Sequence, residues 1–240
     1  MSDVIYGRQT VLNAIHGRRK PLKIMISQTM KDQTIASEAG KAGIPVELVT
    51  NKTLDHLVKG ANHQGVVCCI PSFSYTSFDD FLKTVHPKND SLVLMLDGVE
   101  DPVNFGSLIR SASCFGLDGI IIGKNRQVQV TPTVSKVATG AEESLMIVQV
   151  VNLSQTIARL KEDGYWVVAA DGKGNCLYDE IDYHGKIVII IGSEGRGISP
   201  LVLKNSDFVA RIPIGGPITS LNAAVSGALF MAMAVHLRKK

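Results

Sequence analysis

The 240 residues are 45% hydrophobic and carry a net charge of +3, enough apolar material for one large or two small domains and too little charge to specify a nucleic-acid partner by electrostatics alone. Four cysteines, Cys68, Cys69, Cys114 and Cys176, show no Cys-x-x-Cys spacing and no signal peptide precedes them, which argues against a structural metal and for a reducing, cytoplasmic setting. No apolar run reaches the ~20 residues of a membrane helix, so a soluble protein is expected.

The first 70 residues alternate in type. A helix is expected over 7–15, a strand over 22–27, a helix over 32–42, a strand over 45–49, a short helix over 52–58 behind a Thr50 or Asn51 cap, and a strand over 65–70. Alternation of this kind predicts a small α/β sandwich. Charge is concentrated there: nine Lys and Arg face five Asp and Glu in residues 1–75, against sixteen and seventeen in the remainder. Within it, Arg18, Arg19, Lys20 and Lys23 crowd one loop that suits phosphate contacts, and Arg8 stands nearby in sequence. From Pro71 to Asp90 apolar periodicity fades, apart from a short helix expected over 78–85, so domains are drawn at 1–72 and 90–240 with a linker over 73–89.

The pattern restarts with a strand over 92–96, followed by a helix that Asn104 is expected to cap and Gly116 to close. Strands over 119–122, 146–151, 165–170, 186–191 and 208–213 alternate with helices opened by Thr131-Pro132 and Ser154. This order predicts a mostly parallel sheet covered on both faces. The final helix is rich in small residues, with Ser220 as its expected N-cap.

Three strands end in glycine-bearing loops, and ligands of open α/β sheets bind beyond the carboxyl ends of strands. The usual nucleotide signatures are nonetheless absent. No GxGxxG follows the first strand, no GxxxxGK[ST] occurs, and Gly192-Ser-Glu-Gly-Arg-Gly197 has its glycines at other offsets.

Taken together, Asp101-Pro-Val-Asn-Phe-Gly106 with Arg110, Gly192-Ser-Glu-Gly195 with Gly197-Ile-Ser199, and Ile212-Pro-Ile-Gly215 with Ser220-Leu-Asn222 resemble the three motifs of the SpoU (TrmH) family. These are the S-adenosylmethionine-dependent RNA ribose 2′-O-methyltransferases of the SPOUT superfamily. The match spans residues 90–240, with Arg110-Ser-Ala where members commonly have Arg-Thr-Ala and Ser220-Leu-Asn-Ala-Ala where they have Ser-Leu-Asn-Val-Ser. Gly7-Arg-Gln-Thr-Val11 and His63-Gln-Gly65 resemble the L30e-like substrate-binding domain found on many members.

The resemblance implies a C-terminal trefoil knot, a homodimer, and a bent cofactor whose adenine is wrapped by Gly192, Ile212 and Leu221, with Gly195, Gly215 and Gly216 keeping the loops close. It implies no metal. It makes Arg110 the catalytic candidate, with Asn104, Glu194, Ser220 and Asn222 orienting ribose and arginine. The family often assigns this arginine as general base; a guanidinium resists deprotonation, so a phosphate or alkoxide clamp suits it better. Arg8, Arg18, Arg19, Lys20 and Lys23 are the RNA-binding candidates. The expected substrate is large-subunit ribosomal RNA, with guanosine favoured; transfer RNA is the alternative within the class, and a non-enzymatic ribosome-assembly factor the alternative outside it.

Overall fold

The computed structural model describes residues 2–239 and divides into two compact units. One holds Met1–Ser74 with Gln129–Ser144, the other Tyr75–Val128 with Leu145–Lys240.

In the first unit, β1 (Ser2–Tyr6), α1 (Arg8–His16), β2 (Lys23–Ser27), α2 (Thr34–Lys41), β3 (Val46–Val49), α3 (Asn51–Leu57) and β4 (Val66–Pro71) follow one another. The strands form a sheet of order β1-β4-β2-β3, parallel between β2 and β3 and antiparallel elsewhere. Alternation along β4 sorts the core: Val66, Cys68 and Ile70 pack with Val11, Ile15 and Ile35 on one face, while Val67 packs with Leu54 and Val58 on the other. Thr50 caps α3 by accepting from the Thr53 N–H. The sequence reading leaves β1 unassigned, because only two of its residues, Val4 and Ile5, are aliphatic.

The second unit begins with α4 (Phe78–Val85), then β5 (Ser91–Asp97), α5 (Pro102–Cys114) and β6 (Gly119–Gly123). Residues 73–89 do not form a bare linker. Thr76 bridges Val148, and Phe81 and Val85 are fully buried in the core. The chain then returns to the first unit with α6 (Pro132–Ala138) and a 3₁₀ turn (Ala141–Glu143). Thr131 and Pro132 open α6 as expected, Thr131 accepting from the Val134 N–H.

This return segment is fastened by charge. Arg19 is 11% exposed and donates from Nε to Glu143 Oε1 at 2.7 Å and from Nη1 to the Pro71 carbonyl at 2.9 Å. It also lies over the Phe73 ring. Arg19 is therefore withdrawn from the phosphate-binding set expected of the basic loop, because a buried carboxylate claims its donors. Beside it the Glu142 carboxylate is buried without a hydrogen bond of ordinary geometry, and burial pushes its pKa up.

The second unit continues with β7 (Met146–Val150), α7 (Leu153–Glu162), β8 (Trp166–Ala170), β9 (Cys176–Leu177), β10 (Lys186–Gly192), α8 (Pro200–Lys204), β11 (Phe208–Arg211) and α9 (Ala223–Leu237). Its seven strands run parallel in the order β7-β6-β5-β10-β8-β11-β9. Both faces are covered, which is why β5, β6 and β10 read as continuous apolar runs. On one face Val93, Met95, Val188 and Ile190 pack with Phe81, Ile157 and Leu160. Elsewhere in this unit α5 and α9 lie together at Gly227, where a Cβ would come within 2.3 Å of Leu108. At the chain end, Arg238 donates to the carbonyls of Tyr183, Ser91 and Gly185. The sequence reading misses β9 and α8, whose two and five residues are too short for a periodicity to register.

Candidate active site

The parallel sheet brings the carboxyl ends of β5, β10, β8 and β11 side by side, so loops distant in sequence share one edge. The loop after β5 turns through Gly98, at φ +80°, into α5. Its cap is Asp101, whose carboxylate accepts from the Asn104 N–H at 2.9 Å, with Pro102 at the first helical position. Asn104 is thus not the cap the sequence suggests. It sits inside the first turn, 6% exposed, and its Nδ2 donates to Glu194 Oε1. With the capping done by Asp101, the Asn104 amide is free to reach across to the next loop.

The loop after β10 closes on itself. A Cβ on Gly192 would lie 2.2 Å from the Gly197 carbonyl carbon and 2.4 Å from the Ile198 nitrogen, so the close return of the chain requires glycine there. Ser193 and Gly197 exchange backbone hydrogen bonds of 3.1 and 2.9 Å, with Gly197 at φ +67°. Asp97, at the end of β5, accepts from the Ser199 N–H at 2.7 Å and ties this loop to its neighbour. Glu194 is presented at the top.

The loop after β11 is open by contrast. Residues 212–222 carry no regular structure. Asn222, not Ser220, caps α9, accepting from the Val225 N–H at 2.8 Å. Sequence reasoning misplaced both caps for one reason: Asp101 and Asn222 are themselves good capping residues a few positions from the ones chosen. Ser220 is left exposed, with no hydrogen-bond partner among the described residues. Gly195, Gly215 and Gly216 have nothing within 4 Å of a notional Cβ. No packing among the described residues holds loops close at those three, contrary to the expectation.

Two cavities lie along this edge. One, of about 180 Å³, is walled by Ala170, Ala210, Ile212, Ile214, Leu221 and Phe230, with Asp171, Gly192, Gly197, Thr219 and Ser220 among its other residues. The second, of about 310 Å³, is lined by residues 98–101, Asn104 and residues 193–196. Ser193 and Glu194 belong to both, forming a shared wall. The structure therefore gathers Asn104, Glu194, Gly192, Ile212, Ser220 and Leu221 into one neighbourhood. Asn222 stands next to it as the helix cap. Arg110 lines neither cavity; it is exposed on α5 and its guanidinium makes no hydrogen bond or ion pair among the described residues.

The other basic candidates lie in the first unit. Lys20 is exposed and unpaired among the described residues, Arg18 is exposed, Lys23 pairs with Glu47, and Arg8 pairs with Asp32. His63 and Gln64 are structural. His63 Nδ1 accepts from the Gly65 N–H and its Nε2 meets Asp55, while Gln64 accepts from the Arg8 N–H at the start of α1. Sequence reasoning also passed over Asp171 and Phe230, since neither stands in a recognisable motif.

Comparison with known proteins gives the family and the fold. The SpoU rRNA Methylase family profile matches residues 91–232, and the profile for RNA 2′-O ribose methyltransferase substrate binding matches residues 4–76. YacO of Bacillus subtilis strain 168, described as a TrmH family tRNA/rRNA methyltransferase, is 38% identical over 95% of this chain and 93% of its own. Among solved structures, the SpoU methyltransferase AviRb from Streptomyces viridochromogenes, in complex with AdoMet, aligns with a TM-score of 0.83 at 22% identity over 100% of this chain and 91% of its own. The AdoMet-bound rRNA methyltransferase from Sinorhizobium meliloti aligns at 0.81 with 25% identity, over 97% and 86%. A tRNA-modifying TrmH/SpoU enzyme from A. aeolicus covers only 67% of this chain and 84% of its own, with a TM-score of 0.58 and 22% identity.

Proposed function

We propose, for a chain that belongs to the SpoU (TrmH) family of RNA 2′-O-ribose methyltransferases, that its methyl donor is S-adenosylmethionine and its acceptor a guanosine ribose of large-subunit ribosomal RNA. The observation that carries the reading is the shared wall: a small apolar cavity and a polar cavity meet at Ser193 and Glu194, with Asn104 bonded to Glu194 at the junction. Transfer between two substrates needs two adjoining pockets of unlike chemistry, one for each partner.

The apolar cavity fits the donor. Ile212, Leu221 and Phe230 suit an aromatic base, and the closed loop from Gly192 to Gly197 gives the cavity a fixed wall. When bound, S-adenosylmethionine supplies a methyl group on a sulfonium. The Asn104–Glu194 pair orients the acceptor ribose, Ser220 offers at the mouth a hydroxyl with no partner among the described residues, and Asn222 fixes the start of α9. Arg110 acts on the RNA as a phosphate or alkoxide clamp, which an exposed guanidinium with no side-chain partner among the described residues is suited to do.

Ribosomal RNA is favoured over transfer RNA because the rRNA methyltransferase from Sinorhizobium meliloti parallels nearly the whole chain, front unit included, while the tRNA-modifying relative parallels two thirds of it. Arg18, Lys20, Lys23 and Arg8 supply phosphate contacts in that front unit. The working form is a homodimer: Val103, Ile218, Val225 and Leu229 are large hydrophobics left exposed on α5, α9 and the loop between β11 and α9. The trefoil knot implied by the motifs belongs to the same reading.

The test is single-turnover methylation with radiolabelled donor, on large-subunit rRNA transcripts and on tRNA transcripts, followed by mapping of 2′-O-methyl positions. Label in a guanosine ribose of the rRNA supports the reading. Label only in tRNA moves the substrate, and none in either RNA refutes it.

A further inference from the structure

We infer that Asp171 is the residue through which the donor cavity tells the charged methyl donor from the spent product. The inference rests on the cofactor reading above and concerns a residue outside the three motifs.

Asp171 is the first residue beyond β8, the strand that lies between β10 and β11, so it stands on the carboxyl edge between the loops that follow those two strands. Its backbone is fixed on both sides: the N–H donates to the Ala210 carbonyl at 3.0 Å, and the carbonyl accepts from the Gly174 N–H at 2.9 Å. One carboxylate oxygen, Oδ1, accepts from the Lys173 N–H at 2.8 Å. The other, Oδ2, has no hydrogen bond or ion pair among the described residues and lies 3.9 Å from where a Cβ on Gly197 would stand. Asp171 and Gly197 line the same cavity.

The charge balance of that cavity is one-sided. Its lining carries two carboxylates, Asp171 and Glu194, and no lysine, arginine or histidine. Glu194 is engaged by Asn104. Asp171 is left as a half-buried negative charge with no cation to meet it, in surroundings whose other walls are largely apolar. Such a group favours a cationic occupant. S-Adenosylmethionine carries an ammonium, a sulfonium and a carboxylate, for a net charge of +1. S-Adenosylhomocysteine has a thioether in place of the sulfonium and is neutral overall. A carboxylate in the wall thus holds the donor more tightly than the product and speeds exchange after each turnover.

The experiment is calorimetric titration of the full-length protein with S-adenosylmethionine, S-adenosylhomocysteine and sinefungin, an analogue in which a carbon bearing an ammonium replaces the methylsulfonium and keeps the positive charge. Asp171→Asn keeps an oxygen for the Lys173 N–H and removes the charge. Its preference for donor over product should fall about tenfold, the size of one unit-charge interaction at a partly screened site. Sinefungin should lose affinity with the donor, while product affinity stays near wild type. Asp171→Glu keeps the charge and should keep most of the preference. Equal loss for all three ligands would overturn the inference, since Asp171 would then touch a part they share, such as the ribose diol. An unchanged preference in Asp171→Asn would also overturn it, and a wild-type protein that binds none of the three would overturn the cofactor reading itself.

Discussion

The loops after β10 and β11 are both glycine-bearing and stand two strands apart on one edge, yet they are built on opposite principles. In residues 192–198 the glycines answer to the chain itself: Gly192 makes room for Gly197, and paired backbone hydrogen bonds close the turn before any ligand arrives. In residues 212–222 nothing among the described residues packs where a Cβ would stand at Gly215 or Gly216, and Ile214, Ile218 and Leu221 remain exposed. The first loop is a preorganised wall. The second is left open, with its apolar side chains facing solvent. Identical residue types thus carry different meanings, set by what stands where a Cβ would go.

The same division separates neighbours in the basic loop. Arg19 turns inward to Glu143, while Lys20 is exposed with no partner among the described residues. Replacing inward-facing groups should cost stability, and replacing outward-facing ones should cost binding. The largest effect is expected from Arg19→Met, which leaves Glu142 and Glu143 buried without their cation and should destabilise the fold by about 3–5 kcal/mol in urea titration. Gly192→Ala drives a methyl into the Gly197 backbone and should cost about 3 kcal/mol by the same measurement. If Gly192→Ala proves as benign as Gly215→Ala, whose Cβ enters open space and should shift stability by under ~0.5 kcal/mol, the contrast between the loops is lost.

Leu221→Asp sharpens the comparison from the other side. It should weaken donor binding by roughly 2 kcal/mol, the worth of one buried leucine contact, with the melting temperature of the unliganded protein unchanged. Lys20→Met should leave stability within ~0.5 kcal/mol of wild type and lower the salt slope of RNA binding by about 1. Glu142→Gln provides a pH-dependent check on the inward set. Burial raises the folded-state pKa of Glu142 above its ordinary value, so its contribution is fully present below the usual carboxylate range and is lost as pH rises through the raised value. The Gln variant should therefore be more stable than wild type at neutral pH, and the two should converge in acid.

Much of this site was legible in the chain. The strand runs of the second unit announced themselves because both faces of a parallel sheet are buried, and three glycine-bearing loops in fixed order gave the family before any geometry was known. Helix starts were less secure: where two capping residues lie two or three positions apart, as with Asp101 and Asn104 or Ser220 and Asn222, local preference does not choose between them. Once Asp101 takes the cap, Asn104 is released to bind Glu194, and the role of the asparagine changes with the register of a single turn.

What the sequence determined by itself was therefore what short-range physics controls: the order of strands and helices, the concentration of positive charge at the front, and the motif residues that identify the methyltransferase family. Only the tertiary structure decided which of those residues face inward. Arg19 meets Glu143 across 124 positions, residues 129–144 leave the parallel sheet's unit to join the front one, and Asp171 meets Gly197 only because β8 lies between β10 and β11. Side-chain periodicity reports burial along one element. It says nothing of which distant carboxylate will stand beside a given arginine, because that pairing is fixed by packing between elements that the chain visits at different times.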